Sequence, residues 1–394
     1  MFSYFIKGAV IGAAYADALG KSTEFMMKED IPFQYKNTKV MKLGISNNDE
    51  HRNTWDLYDW TDDTDQSILV FQSINESNVE TTAASIFAKK LYYWYYHGFP
   101  ELGDNAGCGI GTPVRWVLLH PDYNTNPTSA SYDVWKSSDG CLYEDGGIMR
   151  TWIIGVFDFP KDKLIALATE ICQITHYDPR AVAACIFITL CVNSFIYKKA
   201  DRKLSASDQP TTCDIAWDSV PRLGTPSCGL GLRPAAWDSV PLLRRSPFAV
   251  RRCAQLPSVD IKLVMSEAQE EAEKFIMTAT YLDDKELTYT REEYLTKFRK
   301  YIGKGNRVSL EDLQLDNPRS RSNTKYPLIC AVYSMCNIDL GYDAVIQHIV
   351  FQGGDSDTNA CVAGAVLGAY FGLDCIPDDY KKLKHLDFLK NIIQ

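Results

Sequence analysis

The stretch "WTDDTDQS" at 60–67 concentrates oxygen, with Thr61, Asp62, Asp63, Thr64 and Asp65 directly ahead of an apolar run. Adjacent carboxylates repel one another, so such a cluster needs a compensating partner. The positive end of a helix is one candidate, because Thr and Asp are good N-caps and favour the helix dipole. A hard divalent cation is the other, since Mg²⁺ and Mn²⁺ take carboxylate and hydroxyl oxygens. A second cluster has the same make-up. In "GGDSDTNACVAGAVLGAYFG" at 353–372, Asp355, Asp357 and Thr358 follow Gly353-Gly354 and precede a run of small residues. Each cluster alone is consistent with capping. Two matched clusters converging at helix entries would offer enough oxygen for two ions.

Helices are the elements that must position them. The segments 81–98, 161–176, 178–199 and 266–282 carry helical spacing or composition, and Asp178-Pro179 combines a cap with Pro at the first helical position. Convincing alternating strands are absent, so the expected fold is all-α. Gly8, Gly12, Ala16 and Gly20 place a small residue every fourth position, and so do Ala360, Gly364, Gly368 and Gly372. Gly inside a helix costs roughly 1 kcal/mol against Ala, so each stripe needs a reason, and close approach of another helix backbone supplies one.

Composition narrows the class. The chain has 394 residues, 46% of them apolar, and a net charge of −9, which argues against nucleic acid or an anionic membrane as the main partner. Its twelve Cys form no CxxC pairs, and several lie in apolar stretches, as reduced packed thiols of a cytoplasmic protein do. The N-terminal run contains Ala14-Tyr15-Ala16 but lacks a basic region ahead of its apolar stretch, so it is not read as a secretion signal. No stretch is read as long and apolar enough to span a bilayer. Residues 203–259 stand apart, with 7 of the chain's 17 Pro and a near-duplicate, "AWDSVPRL" at 216–223 and "AWDSVPLL" at 236–243. They are read as a poorly ordered insertion in one domain made of 1–202 and 260–394.

Four separated motifs together resemble the ADP-ribosylglycohydrolase family, which includes dinitrogenase-reductase-activating glycohydrolase and the ADP-ribosylhydrolases. They are "GAVIGAAYADALGKSTEFM" at 8–26, "WTDDTDQS" at 60–67, "GGIMR" at 146–150 with "THYDPRAVAA" at 175–184, and "GGDSDTNACVAGAVLGA" at 353–369. The resemblance implies a single compact orthogonal helical domain with a central cleft for two Mg²⁺ or Mn²⁺ ions. The metal ligands it implies are Thr61, Asp62, Asp63, Asp355, Asp357 and Thr358. Glu24 matches an acidic residue implicated in catalysis, beside Asp62 and Asp357. Gly146, Gly147, Met149 and Arg150 match a substrate-side loop, and His176 a histidine near the ADP phosphates. Glu101 and Asp104 compete for an acidic position near the leaving group. Where the family usually has Gly before the helix-1 Asp, this chain has Ala16, and Asp17 is expected to order the core rather than bind metal.

The reaction so implied is hydrolysis of the bond between ADP-ribose and a protein side chain, through a transition state with oxocarbenium character. "EFM" and "WTDDT" lean toward arginine as the acceptor. The expected partner is an ADP-ribosylated protein or conjugate, and the protein is expected to be a monomer. Three alternatives stay open: an ADP-ribose-binding relative without turnover, a hydrolase of ADP-ribosyl-serine or another conjugate, and a metal-dependent phosphohydrolase of unrelated fold.

Overall fold

The structure is a computed structural model, and it describes residues 2–46, 49–204, 259–284, 287–303, 308–309 and 313–393. The sequence-based reading of 203–259 as a disordered insertion falls almost entirely outside these residues. Among those described, the chain is all-α with no strand, and the pair Glu144 and Asn323 forms an isolated antiparallel bridge.

The expected helices form where the spacing places them, as Ala83–His97, Lys161–Gln173, Pro179–Leu204 and Ile261–Thr278. Their starts have local causes. Thr82 accepts from the Ser85 amide, Asp260 accepts from the Leu263 amide, and Thr290 with Glu293 closes a capping box on Arg291–Ile302.

The helices Phe2–Gly20 and Ser356–Phe371 pack antiparallel through their two small-residue stripes. A Cβ on Gly368 would lie 2.0 Å from the Gly8 carbonyl oxygen, and one on Gly364 would lie 2.5 Å from that of Gly12. At the far end, a Cβ on Gly20 would meet the Ser356 oxygen at 2.4 Å. Backbone therefore touches backbone along both helices. The Gly12 carbonyl also accepts from the buried Tyr342 hydroxyl at 2.6 Å, and the Gly20 carbonyl accepts from Ser356 Oγ at 2.9 Å.

Around this pair lie Asp62–Glu76, the short Ile148–Thr151 turn of helix, Lys325–Cys336 and the long Pro179–Leu204. The last of these corrects one expectation. Pro179–Lys198 is long and apolar enough to cross a membrane, with mean hydropathy 1.8 over 20 residues. It is a core helix here, with 78% of its apolar window buried, so its hydropathy is used in packing.

The glycine contact gives a signed prediction. In an open helix, Gly→Ala stabilises by roughly 1 kcal/mol. At Gly368 and Gly364 the added methyl overlaps a backbone oxygen that cannot swing away, so the sign reverses. Gly368→Ala and Gly364→Ala should each destabilise by about 1–3 kcal/mol, read as a lower melting temperature. Unchanged or raised melting temperatures would refute the close contact.

Candidate metal centre

Two helix N-termini and one helix C-terminus meet at the site. Asp62–Glu76 and Ser356–Phe371 bring their first turns, and Phe2–Gly20 brings its last turn followed by Lys21–Thr23 and Glu24. Asp17 fastens Phe2–Gly20 to the start of Asp62–Glu76. Its carboxylate accepts from the Thr61 amide and hydroxyl at 3.0 and 2.8 Å, and from the Thr64 amide and hydroxyl at 3.1 and 2.6 Å. Thr61 makes no side-chain cap of its own, so the helix start is capped from another helix.

Glu24 reaches Asp355 by a backbone pairing. The Phe25 amide donates to the Gly354 carbonyl at 2.6 Å, and the Gly354 amide donates to the Met26 carbonyl at 3.0 Å. Gly354 has φ +71°, and a Cβ there would lie 2.1 Å from the Leu315 oxygen, so this position requires glycine. Phe25 itself is held at φ +58°, with Arg321 donating to its carbonyl at 3.0 Å. Arg52 donates to the Glu24 carbonyl.

The result is a buried concentration of carboxylates: Asp17, Glu24, Asp62, Asp63, Asp355 and Asp357 are each no more than 8% exposed. Two triads within them have oxygens lying within 4.8 Å of one another, Asp17–Asp63–Asp357 and Glu24–Asp355–Asp357. Asp357 belongs to both. Thr358 Oγ1 donates to Asp63 at 3.1 Å. Asp62 accepts from Gln66 Nε2 at 3.0 Å, and the 107–111 loop rests on its other oxygen. A Cβ on Gly109, at φ +97°, would stand 2.1 Å from that atom.

Among the described residues, nearby cations such as His51 and Lys21 offset charge at this density only in part. Burial, then the neighbouring carboxylates, push the Asp62, Asp63 and Asp357 carboxyls well above the usual range. Burial raises Asp17 and Asp355 to about 6. The nearby Lys21 ammonium is engaged with the Asp56 and Asp59 carbonyls at 2.9 and 2.8 Å. Among the described residues, buried Asp63 Oδ1 and Asp145 Oδ2 have no hydrogen-bond partner. Orphaned oxygens in an all-oxygen donor set fit hard divalent cations.

The six ligands suggested by the family resemblance thus fall in one place, and Glu24 lies with them. Other expected residues are placed differently. Arg150 is fully buried, donating to Gln66 at 2.8 Å and to Thr175, with its guanidinium 4.7 Å from the Phe87 ring centroid. These partners hold it inside the core, in the motif for which the resemblance implies a substrate contact. His176 is also buried; burial and the Arg150 charge press its pKa to about 3. Its Nδ1 pairs with Thr175 at 2.8 Å, and a Cβ on Gly146 would crowd its ring at 2.9 Å. Gly147 packs on Cys172, and Met149 is buried. Glu101 is exposed, while Asp104 accepts from the Phe99 amide at 3.0 Å; neither joins the triads.

Three participants escaped the sequence reading. His51 Nε2 meets Glu24 Oε2 at 2.7 Å, and that hydrogen bond raises the His51 pKa. Asp145 stands beside the cluster, its pKa raised by burial and then by Asp355; its signal was a carboxylate directly preceding Gly146-Gly147. Gly109 was signalled by three glycines in "GCGIG" at 107–111.

Comparison with known proteins concerns the family and the fold. The family model described as ADP-ribosylglycohydrolase matches residues 5–394. The chain is 30% identical over 164 residues to "ADP-ribosylhydrolase ARH3" of Danio rerio, covering 39% of this chain and 42% of that one. It is 26% identical over 204 residues to "ADP-ribosylarginine hydrolase Tri1" of Serratia proteamaculans (strain 568), covering 48% and 47%. The chain thus spans less than half the length of each of these relatives. A solved structure titled "ADP-ribosylglycohydrolase-related protein complex" superposes with TM-score 0.52 over 100% of this chain and 96% of that one, at 16% identity, a likeness of fold.

The raised carboxyls set a pH dependence. A folded pKa above the unfolded value means full stability below about pH 4, lost as pH rises through the folded value near 6 for Asp17 and Asp355. A carboxyl held near 6 costs on the order of 3 kcal/mol once ionised. In chelator, the protein should therefore melt at a higher temperature at pH 5 than at pH 7.5. Mg²⁺ or Mn²⁺ should raise the pH 7.5 value and flatten the slope. A melting temperature indifferent to both pH and cation would remove the metal centre.

Proposed function

Because the chain belongs to the ADP-ribosylglycohydrolase family, we propose that it hydrolyses the glycosidic bond joining ADP-ribose to a modified protein side chain. The observation that carries this reading is Asp357, shared between two buried carboxylate triads from opposite ends of the sequence. Two divalent cations, Mg²⁺ or Mn²⁺, would be held by Thr61, Asp62, Asp63, Asp355, Asp357 and Thr358, and supply the positive charge that polarises sugar hydroxyls and water. Glu24 is the proton acceptor. It opens onto a surface cavity of about 530 Å³, lined also by Phe25, His51 and Arg52, and His51 orients its carboxyl. The loop holding Gly109 packs against the Asp62 carboxylate.

Arginine is the proposed acceptor. One relative is named for ADP-ribosylarginine, and the first two motifs lean the same way. Asp104 or Glu101 would pair with the leaving guanidinium through charge-assisted hydrogen bonds. The family match excludes a phosphohydrolase of unrelated fold. A relative that binds without turnover is disfavoured, since every expected ligand is present at the site.

Asp62→Asn and Asp357→Asn should each lose activity by about 100-fold or more, on the order of 3 kcal/mol in the barrier, with the fold intact. Asn caps a helix about as well as Asp, so circular dichroism should not change. Rates near wild type with Mg²⁺ would refute the assignment.

Peptides ADP-ribosylated on arginine or on serine, followed by mass spectrometry, test the linkage. The expected product is free ADP-ribose with its pyrophosphate intact, released faster from arginine. Equal or faster release from serine would overturn the acceptor assignment alone.

A further inference from the structure

A second cavity, of about 590 Å³, lies on the other face of the 141–145 segment from His176. Cys141 and Tyr143 line it, whereas Leu142 and Glu144 line the narrow cleft that contains His176. Toward the carboxylate cluster its wall is a backbone clamp. The Thr324 amide donates to the Tyr143 carbonyl at 3.0 Å, and the Asp145 amide donates to the Ser322 carbonyl at 3.1 Å.

The charge of this cavity opposes that of the protein. Arg180, Lys297, Lys300 and Lys325 line it, and among the described residues no carboxylate does, although the net charge is −9. Arg180 is committed to Asp178 at 2.7 Å. Among the described residues the three lysines form no ion pair. Lys297 Nζ instead rests 3.0 Å from the Tyr289 ring centroid, and Lys325 Nζ rests 4.4 Å from that of Tyr326. Lys325 Nζ also donates to Ser320 Oγ at 3.5 Å, and a phosphate would offer these ammonium groups charge-assisted hydrogen bonds, the stronger kind. Gln314 and Asn317 add amide donors at the rim. The volume suits a ligand of nucleotide size.

We propose that this pocket binds a diphosphate-bearing ligand of nucleoside-diphosphate size, at a site separate from the carboxylate cleft. The test is calorimetric titration of the full chain in EDTA with inorganic pyrophosphate and with ADP. Without cations the carboxylate cleft lacks the positive charge that would draw phosphate, so the chelated protein isolates this pocket. Both ligands should bind, more weakly as salt rises. Lys297→Glu combined with Lys300→Glu should weaken binding by about tenfold or more, with unchanged melting temperature, while Asp62→Asn should not. Equal affinities would mark the diphosphate alone as the ligand. Tighter binding of ADP would mark a nucleotide, and both results support the site. No binding of either ligand, or affinity indifferent to the double charge reversal, overturns it. Since binding is read without turnover, failure to hydrolyse ADP-ribosyl peptides would count against the proposed function and leave this pocket standing.

Discussion

Contact between two backbones governs this molecule. The glycines of Phe2–Gly20 and Ser356–Phe371 remove the side chains that normally separate helices, so the Gly8, Gly12, Gly364 and Gly368 backbones meet directly. Each glycine loses roughly 1 kcal/mol of helix propensity. Many small dispersion contacts over the whole length of the pair offset that loss. The register of the pair decides what stands at its end: Gly20 against Ser356 sets Glu24 beside Asp355 and Asp357. A shift along either helix would separate them.

The electrostatics follow from that register. Two helix N-termini point their amides into the cluster, and their partial positive charge favours carboxylates there. It does not suffice for so many, as the raised pKa values of Asp62, Asp63 and Asp357 record. Asp17 spends its oxygens on Thr61 and Thr64, ordering a helix start instead of adding freely to the donor set. Asp65, next in the sequence to this crowd, turns away to accept from the indoles of Trp60 and Trp94 at 2.7 and 3.1 Å. Neighbours in sequence thus have different uses: one turn of helix carries both the presumed ligands and an anchor.

Much of this was legible because its cause is local or periodic. The every-fourth spacing of glycines announced a helix contact, and Thr and Asp before apolar runs announced helix starts. The matched chemistry of 61–63 and 355–358 suggested convergence, and the four motifs in order specified the family. What escaped depends on partners distant in sequence. Nothing near His51 shows that it will meet Glu24, and nothing in "GGIMR" shows that Arg150 will be enclosed by Gln66, Thr175 and Phe87. The hydropathy of Pro179–Lys198 was likewise ambiguous until its neighbours were known, since a central helix and a spanning one share composition. Asp145 lay in view beside a recognised motif, but its orphaned oxygen exists only in three dimensions.

The glycine pair also has a consequence in time. Its two halves are separated by more than 300 residues, so the central contact closes one of the longest loops the chain contains. During synthesis, helices such as Ala83–His97 and Lys161–Gln173 emerge and can condense first. The acidic turns at 61–63 are exposed at that stage and still lack Asp357. The carboxylate cluster and the centre of the core are then completed together, when 355–371 join the first helix. A chain that lacks 355–371 therefore has neither.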